Sequence, residues 1–217
     1  MINAAAKLER PIVADGVLIE RASGGSATAF AQLVERHSDT VYTIASNVCV
    51  TAEVAEHAIQ EAFLTAWREL ADFPAGGRFS TWLYRIATRT ALAHRARDGR
   101  RRTSRVLEAF LPAFDDEGAL VASAAQWPEL EARPSHRGDI VAPLQDALEC
   151  IEDETRAAFV LCDLVELRAE EAAVILDLSP RAVRLRAHRA RVLLRGFIDS
   201  LSPRRAEWVG AGRRPVE

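Results

Sequence analysis

Lysine is almost missing from this chain: Lys7 is the only one, so 27 of the 28 basic side chains are arginine. Arginine carries a planar fork of donors that fits phosphates and base edges better than a compact ammonium does. No apolar run approaches about eighteen residues, which excludes a membrane-spanning helix. The start, MINAAAKLERPIVADG, lacks the basic-then-apolar layout of a secretory signal. The three cysteines, Cys49, Cys150 and Cys162, are odd in number and widely spaced. That argues against a disulfide framework and for a reducing, cytoplasmic setting. None lies at metal-ligand spacing from another Cys or a His, so they read as buried thiols rather than redox or metal groups. Paired carboxylates, a nucleophile–base motif, a glycine-rich phosphate loop and a metal-ligand cluster are missing too; neither an enzyme nor a cofactor is expected.

What is there is arginine in two blocks. The formal net charge is only −3. Yet residues 85–105 hold eight arginines and one acid, Asp98, and residues 181–195 hold six arginines and no acid. These two blocks carry half of the 28 basic residues, leaving the other 181 residues at about −16. Two solvated helix faces could account for either block alone. Two of them, far apart and nearly free of acid, favour a nucleic-acid partner. The first block follows an aromatic cluster: six of the 14 aromatics fall between Phe63 and Tyr84.

Alanine, leucine and arginine dominate and strand signals are sparse, so the chain reads as all-α. Ser26 is a candidate N-cap for a helix to about His37, and a second run extends from Ser38 to Cys49. Thr51 caps a longer helix to about Leu70, with Glu53 in its first turn. FPAGG, residues 73–77, breaks the pattern. The next helix runs from near Ser80 to Asp98-Gly99, with Trp82, Leu83, Ile86, Ala87, Thr90 and Ala93 as its apolar stripe and Arg85 and Arg89 flanking it. Phe63, Trp67 and Trp82 read as core. Residues 104–143, with Pro112, Pro128 and Pro134 and acidic patches such as FDDEG, read as a linker too long for a connection inside one compact domain. Helices are then expected at 144–151, 154–166, 169–176 and from Pro180 to about Leu201. The expected organisation is two small helical domains, 15–103 and 144–201, joined by that linker, with tails at 1–14 and 202–217.

The last two helices have the form of a helix-turn-helix. A short amphipathic helix with Ala172, Ala173, Ile175 and Leu176 is followed by Asp177-Leu178-Ser179. Ser179 is a favoured N-cap and Pro180 suits the first helical position. In such a motif the second helix enters the DNA major groove. At 100° per residue Val183, Ala187, Ala190 and Leu194 share an inward face. Arg181, Leu185, His188 and Arg189 lie opposite, with Arg184 at the edge; arginine there would grip guanine or phosphate, and Leu185 a thymine methyl.

Two stretches resemble a known family when taken together. Ala55, Glu56, Gln60, Glu61, Phe63 and Trp67, followed by Phe79, Thr81, Trp82, Leu83, Tyr84, Arg85, Ile86, Ala87 and the basic tail, resemble region 2 of the sigma-70 family. More narrowly they resemble its extracytoplasmic-function group. Residues 167–195, LRAEEAAVILDLSPRAVRLRAHRARVLLR, resemble region 4 of that group, including the closing His188 to Arg191. The resemblance implies a dissociable subunit of bacterial RNA polymerase. Region 2 would dock on the clamp of the largest core subunit through Glu56, Gln60 and Glu61, and would capture the −10 element with Phe73, Arg78, Phe79, Arg85, Arg89, Arg95 and Arg97. Region 4 would sit on the flap of the second-largest subunit and read the −35 element with Ser179, Arg181, Arg184, Leu185, His188 and Arg189. An anti-sigma factor is a further partner implied by the group, and no membrane insertion is expected.

Melting a promoter requires holding unstacked bases and one strand's phosphates, and aromatics beside arginines supply both. The chain departs from the group's usual residues at Val54, His57 and Thr90, at Asp177 in place of the turn glycine, at Leu185, and at Ile151-Glu152. The departures at Val54, His57 and Thr90 keep open a degenerate sigma-like adaptor that docks without opening DNA. The other alternative, a helix-turn-helix regulator that never joins polymerase, is opposed by the Gln60-Glu61 helix and the aromatic–arginine segment.

Overall fold

The computed structural model describes residues 14–49, 51–98, 147–149 and 151–200. The expected linker 104–143, with Trp127, as well as Cys150 and the tail 202–217, lie outside these residues. Within them all regular structure is helical.

Four helices build the first unit. Helix α1, Asp15–Ser23, is not among the expected elements. Its signals are present in retrospect: an acid in the first turn, Leu18 and Ala22 one turn apart and buried, and Gly24-Gly25 as the stop. Gly25 takes φ +93°, a conformation that glycine adopts without strain. Helix α2 is continuous over Ala27–Val48, capped by Ser26 Oγ accepting from the Ala29 amide at 3.3 Å. The expected break at His37-Ser38 does not occur. Neither residue is a helix breaker, and the Ser38 hydroxyl bonds back to the Glu35 carbonyl at 3.1 Å without interrupting the ladder.

Helix α3, Ala52–Arg68, starts at the expected Thr51 cap, whose hydroxyl accepts from the Val54 amide at 3.3 Å. A short 3₁₀ turn, Leu70–Asp72, leads into the Pro74–Gly77 loop and helix α4, Phe79–Asp98. The buried face of α3 is entirely alanine, Ala55, Ala58, Ala62 and Ala66, which lets α4 approach closely. On α4 the buried stripe is Phe79, Leu83, Tyr84, Ala87, Thr88, Ala91 and Arg95. This is rotated from the expected one: Trp82, Ile86 and Thr90 are half-buried and Ala93 is exposed. Tyr84 and Thr88 lie outside the expected stripe, but Tyr84 turns inward because its hydroxyl meets His37 Nδ1 at 3.2 Å, and His37 Nε2 meets Asp15 at 3.1 Å. Trp67 is also a correction. At 36% exposure it is the rim of a groove and not core, its ring 4.9 Å from Phe30.

The second unit contains helix α5, Asp153–Phe159, continuing into a π turn, Val160–Leu164. Helices α6, Ala169–Leu176, and α7, Pro180–Ser200, follow. The two helical units expected from the sequence pack against each other. A single apolar cluster joins Leu33, Ile44 and Leu83 of the first to Val160, Leu161, Ile175 and Val183 of the second. A smaller cluster of Ala147, Ile151, Ala190, Leu193 and Leu194 packs within the second unit.

Candidate nucleic-acid and polymerase interfaces

Helices α6 and α7 form the expected helix-turn-helix. Asp177 ends α6 in the left-handed conformation, φ 58° and ψ 45°, and Ser179 Oγ accepts from the Ala182 amide at 3.1 Å to start α7. Val183, Ala187, Ala190 and Leu194 face inward as the helical wheel requires. Ser179, Arg181, Arg184 and His188 are exposed, and Leu185 and Arg189 are half-buried beside them. Arg184 reaches Glu170 of α6 at 3.0 Å, a pair open to solvent at both ends and therefore weak. Two further arginines of α7 are held within the unit instead. Arg191 makes two bonds to Asp163, at 2.7 and 3.0 Å, and Arg186 pairs with Glu154. The bond to Asp163 raises the Arg191 pKa above its ordinary value.

In the first unit an aromatic cluster surrounds the loop between α3 and α4. Phe73, Phe79 and Trp82 have ring centroids 5.4 to 5.9 Å apart, mostly edge-to-face. Phe73 is half-buried and Phe79 is buried, so Phe79 supports this cluster from below and does not offer a stacking face. Arg78 is exposed at the same loop, and its guanidinium bonds Glu171 of α6. Arg89 and Arg97 are exposed along α4 and Arg85 is half-buried.

Arg95 is the clearest correction among the sequence-chosen residues. It is 6% exposed and points into the seam between the units. Its Nε bonds Asp153 at 2.5 Å, and its two terminal nitrogens bond the carbonyls of Val48 at 3.3 Å and Glu149 at 3.1 Å. Sequence reading missed this because the partners are 47 to 58 positions away and no local pattern marks them. Arg156, 1% exposed, was missed for the same reason; it donates to the Val48 carbonyl from the other unit and to the Leu148 carbonyl. Cys49 lies against this seam, and burial pushes its thiol up to about 11, against the pull of Arg95 and Arg156. It is the buried thiol expected from the sequence; Cys162 is half-buried and also raised by burial.

The residues chosen for polymerase docking are exposed on α3. Gln60 lines an apolar groove of about 540 Å³ formed with Phe30, Ile59, Phe63, Leu64 and Trp67. Leu64, one turn after Gln60 and 54% exposed, was legible from helical spacing but was not singled out. Glu61 turns towards α4 instead and meets His94 Nε2 at 2.6 Å. Glu56 lines a separate polar cavity of about 340 Å³ at the seam, with Tyr42, Asn47, Glu149 and Arg156. Among the described residues no helix is long and apolar enough to cross a membrane.

Comparison with known proteins places the chain in a family. The sigma-70 region 2 family model matches residues 33–101 and the sigma-70 region 4 model matches residues 142–194. The chain is 34% identical over 188 residues to the extracytoplasmic-function RNA polymerase sigma-E factor of Escherichia coli, an alignment covering 86% of this chain and 95% of that one. It is 33% identical to the sigma factor SigE of Mycolicibacterium smegmatis, over 88% of this chain and 71% of that protein. A solved structure of CnrH in complex with the cytosolic domain of CnrY superposes with a TM-score of 0.59 at 26% identity, covering 87% of this chain and 99% of that one. The sigma factor RpoE of Bartonella quintana, solved with the anti-sigma factor NepR, shares the fold at a TM-score of 0.56 and 20% identity, over 78% of this chain and 96% of that one. Both halves of the sequence resemblance are therefore present, in order and on one chain: the protein belongs to the extracytoplasmic-function group of sigma-70 RNA polymerase sigma factors.

Proposed function

We propose that this chain joins bacterial core RNA polymerase in the cytoplasm, directs it to promoters and assists their opening. In this reading residues 15–103 are region 2, residues 144–201 are region 4, and 104–143 join them. Region 2 docks on the clamp of the largest subunit through the α3 surface that carries Glu56, Gln60 and Glu61. The groove beside Gln60 supports this, because exposed Leu64 and Trp67 give an apolar partner something to bury. Phe73, Arg78, Arg85, Arg89 and Arg97 serve the −10 element, with Phe79 bracing Phe73; Arg95, enclosed by Asp153 and the Val48 and Glu149 carbonyls, braces the seam instead. Region 4 sits on the flap of the second-largest subunit and reads the −35 element through Ser179, Arg181, Arg184, Leu185, His188 and Arg189. An anti-sigma factor is a further partner. The protein carries out no bond chemistry and needs no cofactor in this role.

The observation that carries the reading is the capped α6–α7 helix-turn-helix with its exposed Arg181, Arg184 and His188, on the same chain as the α3 groove. Transcription from a library of promoter fragments, with core polymerase and this protein, tests it: discrete starts that require the protein are expected. Arg184→Ala should weaken upstream recognition by about 1–3 kcal/mol if its contact is to a base. Binding to core without discrete starts would favour the adaptor, and no binding to core the ordinary regulator.

A further inference from the structure

One residue of the proposed docking surface is tied to a second helix. Glu56 and Gln60 stand exposed on α3. Glu61, with a side chain 49% exposed, crosses to α4 and meets His94 Nε2 at 2.6 Å. Among the described residues neither of the two has another hydrogen-bond or ion-pair partner.

The pair forms where small residues bring the helices together. Ala58 and Ala62 beside Glu61 are buried, as is Ala91 one turn before His94. The His94 side chain is 19% exposed, so packing fixes its ring. A surface glutamate otherwise samples several rotamers, and a partner must pay to select one. The imidazole makes that selection in advance. It engages Oε2 and leaves Oε1 to accept from another donor.

The same contact sets the local charge. A docking carboxylate is complemented by a cation on its partner. With a neutral ring donating from Nε2, the Glu61–His94 pair carries one negative charge; with a protonated ring it carries none. Arg97 and Asp98 follow about one turn along α4, and His57 precedes Glu61 by one turn on α3. Arg97 and His57 are exposed, so solvent screens them. Arg95 turns away, towards Asp153 and two carbonyls. From α2, Cys49 reaches the Ala91 carbonyl at 3.7 Å, and burial keeps its thiol protonated. From α6, Glu171 meets Arg78, sixteen positions before His94 and about 24 Å away along the helix. His94 is therefore the group that governs the charge Glu61 presents.

We propose that His94 is a positioning residue for polymerase docking: it fixes the Glu61 carboxylate on the exposed side of α3, and its protonation cancels that carboxylate's charge and weakens docking in acid. The proposal rests on the reading of Glu61 as a docking residue. The sign follows from the pair's charge: docking is strongest where the ring is neutral and weakens as pH falls.

The test measures affinity of the full-length chain for bacterial core polymerase at about pH 8 and about pH 5.5, on either side of histidine's titration range. The parent, His94→Gln, His94→Phe and Glu61→Gln are compared, and circular dichroism at both pH values establishes that each is helical. Titration of the core itself is common to all four and cancels in their ratios. His94→Gln keeps a donor that does not titrate. It should match the parent at about pH 8 and bind about two- to fivefold tighter than the parent at about pH 5.5, the size of an exposed ion pair. His94→Phe fills the site without a donor and should bind about two- to fivefold more weakly than the parent at about pH 8. Glu61→Gln should also bind more weakly there. A parent and His94→Gln whose affinity ratio is the same at both pH values would overturn the proposal, as would a His94→Phe that docks as well as the parent. If Glu61→Gln is weak in either case, Glu61 keeps its docking role and only the part assigned to His94 fails. A Glu61→Gln variant that binds core as tightly as the parent would instead remove Glu61 from the docking face, and the proposal with it.

Discussion

Asp177 illustrates how a single departure from a family's usual residue is absorbed. The turn between α6 and α7 needs one residue in the left-handed conformation, and Asp177 supplies it at φ 58°. Its own amide bonds back to the Ala173 carbonyl, as a helix-ending residue should. Aspartate and asparagine tolerate this region because their short polar side chains bond locally, whereas a branched side chain crowds the following carbonyl. Asp177→Val should therefore cost about 1–2 kcal/mol of unfolding free energy. Asp177→Gly and Asp177→Asn should stay within about 0.5 kcal/mol of the parent, since glycine's freedom here is offset by its unfolded-state entropy. Urea titration followed by circular dichroism reads the difference, and a valine variant as stable as the parent would show that the turn has another way to form. The sequence marked this position as unusual; only the backbone shows why aspartate serves. Arg95 is the opposite case. Its arginine block was legible, but its burial depends on Asp153, Val48 and Glu149, which meet it only in the folded chain.

At the scale of elements, the expectations that held were those set by local chemistry. Ser26, Thr51 and Ser179 were read as caps, and each accepts the amide three residues on. The face of α7 was right because its alternation of apolar and arginine is sharp. The face of α4 was rotated because Tyr84, Thr88 and Arg95 are polar by type yet buried in the fold, a tertiary effect that no helical wheel contains. The α3–α4 pair depends on smallness more than on hydrophobicity. Ala58, Ala62 and Ala66 on α3 are each 1% exposed or less and lie against α4, whose Ala87 and Ala91 are buried as well. Close packing leaves no room for added methylenes. Ala62→Leu should destabilise the protein by roughly 1–3 kcal/mol, read as a lower urea midpoint with an unchanged slope. It should also tilt α3, so binding to core polymerase would fall further than the stability loss alone explains. Substitution of Ala52, exposed at the start of the same helix, by serine or glutamate should be nearly silent.

For the whole molecule, chain length and closure are linked. Arg95 touches the Glu149 carbonyl at 3.1 Å, so the chain leaves the first unit and enters the second close to the same point. In the proposed function the intervening segment must also let the two units reach promoter elements about 25 base pairs apart, which lie about 85 Å from each other at 3.4 Å per base pair. Removing about thirty of the forty residues at 104–143 leaves a reach of about 35 Å. Closure would become easier, because a fourfold shorter loop costs about 1.2 kcal/mol less to close. The shortened protein should therefore melt at the same temperature or slightly higher and should remain compact in scattering. Transcription from promoters that carry both elements should be lost, while binding to an isolated −35 duplex should weaken only as far as closure interferes. A shortened chain that still starts transcription at two-element promoters would mean that the units need not separate as far as the elements require.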